Sequence, residues 1–434
     1  MRTNKLKRYD AYMASGVEWL GEIPEHWETI SNRHVFKIKK NLVGKLSYKY
    51  DLLSLTLSGV IKRDMENPTG KFPAEFDTYQ EVSKGDFVFC LFDVEETPRT
   101  IGLSQHNGMI TGAYTVMQAA SIFNAPFLFY FYYNHDQSKS LRHLYTGLRN
   151  TISKEKFLAY KTFIPPFSEQ TAIAQFLDTK TALIDKAIEL KEKQIALLKE
   201  RRQAIIHQAV TKGLNPDVPM KDSGIDWVGQ IPAHWEVKKL KYVFDFIGGG
   251  TPSKERLDYW NGDIPWVSPK DMKSDKIKVT EEFLTCKGLK NCPSSLLTSN
   301  SLIMVVRSGI LKRVVPVAIT KVEVAINQDM KAFIPLGEVL PNFMFFFIKG
   351  NEIFLKNDWV KQGATVESIE MELLRNFSIA YPPYTEQNQI IDHVRVLSTE
   401  IEKILLLIEQ EIEKLKEYKA SLINSAVTGK IKVT

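Results

Sequence analysis

The hydrophobic positions of this chain follow two different periods. Over residues 169–212, Ile173, Leu177, Ile184, Ile188, Ile195, Leu198, Ile205 and Ala209 form one stripe at helical spacing, with charged residues between them. Over residues 386–430, Ile390, Val394, Leu397, Ile401, Ile404, Ile408, Ile412 and Leu415 step by four and three, the a/d pattern of a coiled coil. Neither stretch holds Pro or Gly before its end, so each predicts a single helix of roughly 65 Å at ~1.5 Å per residue. Each stripe needs a partner surface to leave water.

Elsewhere the apolar runs are short and punctuated by Gly, Pro and Asn. Residues 50–57, 86–92 and 113–117 predict strands, and residues 126–133 and 154–160 predict short helices. Residues 301–306, 314–319 and 331–334 predict strands in the second half, followed by a helix over 341–348. The halves are copies at their ends. A displacement of 217 residues places Pro165, Pro166, Glu169 and Gln170 on Pro382, Pro383, Glu386 and Gln387, and carries Ala209-Val210-Thr211 onto Ala426-Val427-Thr428 without a gap. Upstream, Ser15-Gly16-Val17-Glu18-Trp19-Leu20-Gly21-Glu22-Ile23-Pro24-Glu25-His26-Trp27 returns as Ser223-Gly224-Ile225-Asp226-Trp227-Val228-Gly229-Gln230-Ile231-Pro232-Ala233-His234-Trp235. Ser-x-x-Glu and Ser-x-x-Asp are capping-box spacings, so this box reads as a short helix start before a Pro-bounded turn. Its tryptophans read as packing residues rather than base-stacking ones, and His26 and His234 as core or turn residues.

These patterns divide the chain into a globular domain over 1–168, a helix over 169–213, a second domain over 214–385 and a second helix with a tail over 386–434. A domain of this size has a radius of gyration of only ~15 Å, less than either helix, so the second helix must run back along the first. The expected fold class is α+β: two globular domains separated by two long helices that form an antiparallel coiled coil, with internal pseudo-twofold symmetry.

Composition narrows the function. At 434 residues with 44% hydrophobic and 11% aromatic content, the chain can build real cores. No window approaches the ~20 apolar residues of a membrane span, and the basic, polar first ten residues are unlike a signal peptide. Three cysteines without metal-ligand spacing fit a reduced, cytoplasmic protein with no membrane role. The net charge of +6 suits an anionic partner.

The search for catalytic motifs is mostly negative. Pro165-Pro166-Phe167 and Pro382-Pro383-Tyr384 imitate the Pro-Pro-aromatic turn of amino-methyltransferases, but Ile164 and Tyr381 stand where an Asp or Asn would be needed. They read as turns that start helices. Phe246-Ile247-Gly248-Gly249-Gly250 resembles a cofactor-binding glycine loop, yet Thr251-Pro252-Ser253 follows it in place of an apolar helix, so a loop whose backbone approaches phosphate is the better reading. No Walker-type phosphate loop, His-Glu-x-x-His or Cys-x-x-Cys occurs. Binding residues are therefore sought in the divergent middles. Thr251, Ser253, Lys254, Trp266, Ser268 and Lys270 lie on expected loops of the second domain, with Arg307, Lys312 and Gln328 supplying groups suited to guanine and adenine edges. In the first domain Arg99, Gln105, Asn107, Thr111 and Tyr114 play that part, with Arg149 and its neighbours Arg142, Asn150 and Lys154 available for phosphate.

The paired boxes, the runs Gly249-Gly250-Thr251-Pro252-Ser253 and Gly262-Asp263-Ile264-Pro265-Trp266-Val267-Ser268-Pro269-Lys270-Asp271-Met272, Ile326-Asn327-Gln328-Asp329 and the Pro-Pro-x-x-Glu-Gln helix starts closely resemble the specificity subunit of type I restriction-modification systems. The first domain departs from the pattern, carrying Thr111-Gly112-Ala113-Tyr114-Thr115-Val116 where the second has its glycine run. The resemblance implies two target recognition domains that each read one half of a bipartite double-stranded DNA target. It also implies docking of two methyltransferase subunits and of restriction/translocase subunits. S-adenosylmethionine, ATP and Mg would then sit on those partners, with none bound by this chain. A methyltransferase or nuclease with a degenerate site is the rival reading. A protein-only scaffold is the third, and it predicts little salt dependence of any DNA binding.

Overall fold

The apolar stripes form two continuous helices, Phe167–Lys212 and Tyr384–Val427. Both begin two residues before the expected positions, because the carbonyls of Pro166 and Pro383 already accept the first backbone N–H groups. Both stop at glycines in the left-handed region, Gly213 at φ +75° and Gly429 at φ +71°. The second helix therefore ends at Val427, short of Lys430.

The computed structural model describes residues 7–17, 20–64, 75–361 and 366–433. Two compact units emerge, residues 1–191 with 409–434 and residues 192–408. Each holds one globular part and a stretch of both long helices lying antiparallel. In the first unit Asp185 meets Lys419 at 2.7 Å and Lys191 meets Glu411 at 2.5 Å. In the second, Arg202 meets Glu402 at 3.2 Å. Ile173, Leu177 and Ile184 bury themselves with Leu422, Ile423 and Val427, while Ile206 and Ala209 join Ile390 and Val394. One expected stripe position is corrected: Ile404 is 43% exposed and Leu405 is buried in its place. Residues 404–408 are apolar on every face, so periodicity alone could not choose between neighbours; packing did.

In the first unit, an antiparallel sheet runs in the order Phe36–Lys39, Thr115–Ala119, Phe87–Phe89, Ile101–Leu103. The helix Ala125–Ser138 packs on it, its first turn closed by Asn124, whose side chain accepts from the Phe127 N–H at 3.0 Å. In the second unit a five-stranded sheet runs Phe244–Gly248, Met330–Pro335, Leu302–Val305, Val317–Thr320, Lys276–Ile277, covered by the helix Pro341–Gly350. A further three-stranded sheet, Glu282–Leu284, Trp260–Val267, Ala325–Ile326, sits beside it. Residues 260–267 were expected on a loop. They form a strand because a register shift between Trp260 and Ile264 absorbs the Asn-Gly-Asp run that hid the alternation.

The repeated box is a hairpin, which corrects the expected helix start. Tyr12–Ala14 pairs with Glu22–Pro24, and Met220–Asp222 with Gln230–Pro232. The Ser15 and Ser223 hydroxyls accept N–H groups two residues on, at 3.1 Å each, so they close a tight turn instead of capping a helix. Glu18 and Trp19 lie outside the described residues. Trp27 and Trp235 are buried, and Trp227 packs half-buried on the second core.

The box anchors the long helices. The Glu169 carboxylate accepts from the Tyr9 hydroxyl at 2.5 Å and the Trp27 indole at 3.1 Å, and it meets His26 Nε2 at 2.8 Å. Glu386 repeats this with Trp235 at 3.2 Å and His234 at 2.7 Å. One residue on, the buried Gln170 accepts from the Asn124 N–H and donates to the Pro165 carbonyl; Gln387 accepts from the Leu340 N–H and donates to the Pro382 carbonyl. The Pro-Pro-x-x-Glu-Gln motif is thus a fastening between helix start, hairpin and domain helix.

Candidate nucleic-acid interface

In the second unit the glycine run lies against its own chain. A Cβ at Gly249 would meet the Ile326 carbonyl oxygen at 1.9 Å, and one at Gly250 would meet the Pro293 ring at 2.6 Å. The missing side chains therefore serve internal backbone packing, a correction to the expected approach to phosphate. This seating brings the loop onto Asn327-Gln328. Thr251 Oγ1 hydrogen-bonds Gln328 Oε1, so two of the expected residues touch although 77 positions separate them. With the hydroxyl donating, the Gln328 amide keeps its NH₂ and a second oxygen lone pair for a partner.

Around this pair, the Trp260 indole donates to the Ser253 carbonyl at 3.1 Å, and Lys254 Nζ lies 4.9 Å from the Trp260 ring while pairing with Glu282 at 2.7 Å. Trp266 is buried and donates to the Gly250 carbonyl at 3.0 Å, which makes it a support under the loop and not a stacking surface. Ser268 is likewise internal, its hydroxyl and N–H both bonded to Asp271 Oδ2 in a capping box. Lys270 and Arg307 are exposed, with no carboxylate at ion-pair distance among the described residues. Lys312 pairs with Glu367 at 3.2 Å. The structure thus gathers Thr251, Ser253, Lys254, Trp266 and Gln328 at one loop, and Arg307 joins the same turn through its N–H, which donates to the Asp329 carbonyl at 3.3 Å, while among the described residues no side-chain hydrogen bond or ion pair ties Lys270 or Lys312 to it. The sequence marks Trp260 as part of the candidate run that ends at Asp271, but gives no sign of Asp258, whose carboxyl Arg256 and Lys287 hold far below the usual range.

In the first unit Thr111 and Tyr114 come together through Gln80, whose amide donates to the Thr111 carbonyl at 3.2 Å and the Tyr114 carbonyl at 2.7 Å. Tyr114 stacks on Phe92 at 6.1 Å between centroids, and the Arg149 guanidinium lies 5.6 Å from the Phe92 ring. Burial pushes the Tyr114 hydroxyl above its ordinary value, so it stays a neutral donor. Arg149 grips Asp93 with two nitrogens, Arg142 grips Glu95 likewise, and Asn150 donates to Glu96 at 2.9 Å. Three of the four expected phosphate-positioning groups are therefore held by an acidic run of their own chain, while Lys154 is exposed with no carboxylate at ion-pair distance among the described residues. Gln105 and Asn107 are exposed, and Asn107 accepts from the Lys84 N–H. Arg99 is drawn inward beside the buried Asp136 at 3.6 Å, under the Tyr133 ring. Phe92 and Gln80 carried no sequence signal beyond being an aromatic and an amide beside turns.

Among the described residues no group of three or more His, Cys, Asp or Glu is placed to hold a metal ion. No described helix is long and apolar enough to cross a membrane.

Residues 232–416 match the family model of the type I restriction modification DNA specificity domain. Over 185 residues the chain is 36% identical to the EcoR124I/EcoR124II specificity subunit of Escherichia coli, a stretch covering 42% of this chain and 46% of that one. Over 168 residues it is 31% identical to the MjaIX specificity subunit of Methanocaldococcus jannaschii, covering 38% of each. The matched stretch spans less than half the length of these two relatives. In fold, the chain is similar to the HsdS subunit from Thermoanaerobacter tengcongensis, with a TM-score of 0.54 at 14% identity, covering 94% of this chain and 98% of that one. It is also similar to a chain from a structure described as the structural basis underlying complex assembly and conformational transition of the type I R-M system. There the TM-score is 0.70 at 13% identity, covering 93% and 98%.

The residues matched by the family model take in most of the second globular part and the second long helix as far as residue 416. The relatives matched over this stretch are specificity subunits, and the likeness to the two solved structures concerns the fold alone.

Proposed function

We propose that this chain is a non-catalytic subunit that reads a bipartite duplex, one half-site per globular part, and docks methyltransferase and restriction subunits that carry S-adenosylmethionine, ATP and Mg. One observation carries the reading: the two units repeat the hairpin, the Glu-Trp-His fastening and the helix starts, yet differ in their loops. A Thr251–Gln328 pair stands on the glycine run in one, and a Gln80-braced Tyr114–Phe92–Arg149 group stands in the other. A repeated frame with unlike surfaces fits two readers of unlike half-sites. Recognition would proceed by phosphate contacts that set register and by base-edge contacts from groups such as Gln328 and Arg307.

The test is a genome-wide map of methylated adenine in a methylation-free host carrying this gene with its neighbouring modification gene, and each alone. A split motif with a fixed gap that needs both genes is the expected result. Methylation by this chain alone would make it the enzyme. In the same assay Gln328→Ala is expected to relax one base position of a single half-site by roughly 10- to 100-fold and leave the other half-site unchanged. Relaxation in both half-sites would sink the assignment of one reader per unit.

A further inference from the structure

The internal repeat supplies its own control for a second kind of site. In each unit a cleft opens between the domain helix and the long helices. In the first unit it measures 460 Å³ and is walled by Phe129 and Tyr130; in the second it measures 770 Å³ and is walled by Phe345 and Phe346. The same displacement of 217 that relates the long helices places Asp178, Asp185 and Lys419 of one cleft against Arg395, Glu402 and Arg202 of the other. Their charge differs sharply. The first cleft is lined by two cationic side chains and two carboxylates, a balance of zero. The second is lined by five cationic side chains and two carboxylates, a balance of three positive charges.

Two of those five are already satisfied, Arg202 by Glu402 and Lys349 by Asp275 at 2.8 Å. Arg395 reaches Asp392 at 3.3 Å one turn back on its own helix. Lys276 and Lys321 have no carboxylate at ion-pair distance among the described residues, and Lys321 Nζ donates only to the neutral Asn300 Oδ1, at 2.8 Å. Burial, and then the charges of Lys276 and Arg395, push the Lys321 amine below its ordinary value. Like charges gathered in a concave site with too few carboxylates to match them are unfavourable until an anion joins them.

We propose that the second cleft, and not its counterpart in the first unit, binds a phosphate group through Lys276, Lys321 and Arg395. The source is either the backbone of duplex DNA, which rests on the function proposed above, or a free phosphate compound, which does not. A carboxylate fits less well, because it brings one negative charge and two acceptor oxygens where a phosphate group brings up to two charges and three oxygens to Lys276, Lys321 and Arg395.

The experiment uses the full chain as wild type, as the Lys276→Gln/Lys321→Gln double variant, as Arg395→Asp, which installs the residue found at the matching place in the first half, and as the control Lys186→Gln on the first long helix. Circular dichroism confirms that each is folded. Sodium pyrophosphate is titrated by calorimetry, and a labelled duplex of arbitrary sequence is titrated by anisotropy at several salt concentrations. The double variant and Arg395→Asp are expected to lose roughly tenfold in affinity on at least one probe while Lys186→Gln matches the wild type. Loss on the duplex, with a salt slope shallower by about 1 to 2, assigns the DNA backbone. Loss on pyrophosphate alone assigns a free phosphate. Variants that match the wild type on both probes overturn the cleft while leaving duplex binding, and the reading above, intact. A wild type that binds pyrophosphate through these lysines but no duplex supports the cleft and sinks the DNA reading.

Discussion

Glu169→Ala is expected to lower the stability of the first unit by about 3 kcal/mol, and Glu386→Ala to lower that of the second by about half as much. The difference follows from the surroundings of two residues that the repeat makes equivalent. Glu169 has a side chain only 10% exposed and joins Tyr9, Trp27 and His26, so its removal strands a hydroxyl and an indole N–H in a buried place. Glu386 is 23% exposed and joins Trp235 and His234, with no tyrosine, so water can replace part of what is lost. Thermal denaturation of the two variants, followed by near-ultraviolet circular dichroism of the tryptophans, measures both. Equal effects, or a Glu169 effect below about 0.5 kcal/mol, would show that the carboxylate is not the fastening described here.

Gly249→Ala should be as damaging, at about 3 kcal/mol, and its damage should reach recognition. The new methyl would stand 1.9 Å from the Ile326 carbonyl oxygen and 2.4 Å from that of Asn327, both backbone atoms of a strand and turn that cannot swing aside as a flexible side chain would. The loop must lift, which breaks the Thr251–Gln328 bond and the Trp266 bond to Gly250. Gly309→Ala is the matched control, because a Cβ there meets nothing within 4 Å. Methylation directed by a Gly249→Ala chain is expected to vanish or lose one half-site, while Gly309→Ala directs the wild-type pattern. A Gly249→Ala chain with unchanged stability and target would show that the loop does not need its close seat.

Much of the frame was legible in the chain because it rests on local periodicity and on repetition. A helix of forty or more residues advertises its apolar face at every turn, and the displaced copies of Pro-Pro-x-x-Glu-Gln and of the His-Trp box marked the points where each helix is tied down. The strands over 87–89, 302–305 and 330–335 and the helices over 125–138 and 341–350 fell where apolar runs met Pro or Asn punctuation. Local rules failed where a residue's partner is distant. The Ser15 spacing fits a capping box, but pairing of Tyr12–Ala14 with Glu22–Pro24 bends the chain into a hairpin first. Ile404 and Leu405 satisfy the same heptad, and only the fold chose to bury the second.

The candidate interface divides in the same way. Residue types alone nominated Arg99, Arg149, Trp266 and Ser268, yet Arg99 is drawn inward beside Asp136, and the other three side chains are occupied by Asp93, the Gly250 carbonyl and Asp271. Charge and hydrogen-bonding capacity are properties of a residue, but their availability depends on what else the fold brings within about 3 Å. The sequence by itself determined the duplication, the two rods and the kinship of the loops, since each is written in neighbouring or evenly displaced positions. Only the tertiary structure decided that Thr251 meets Gln328, that glycines face backbone, and that one of two equivalent clefts gathers unpaired lysines. Those are sums over residues far apart in the chain, and no local window contains them.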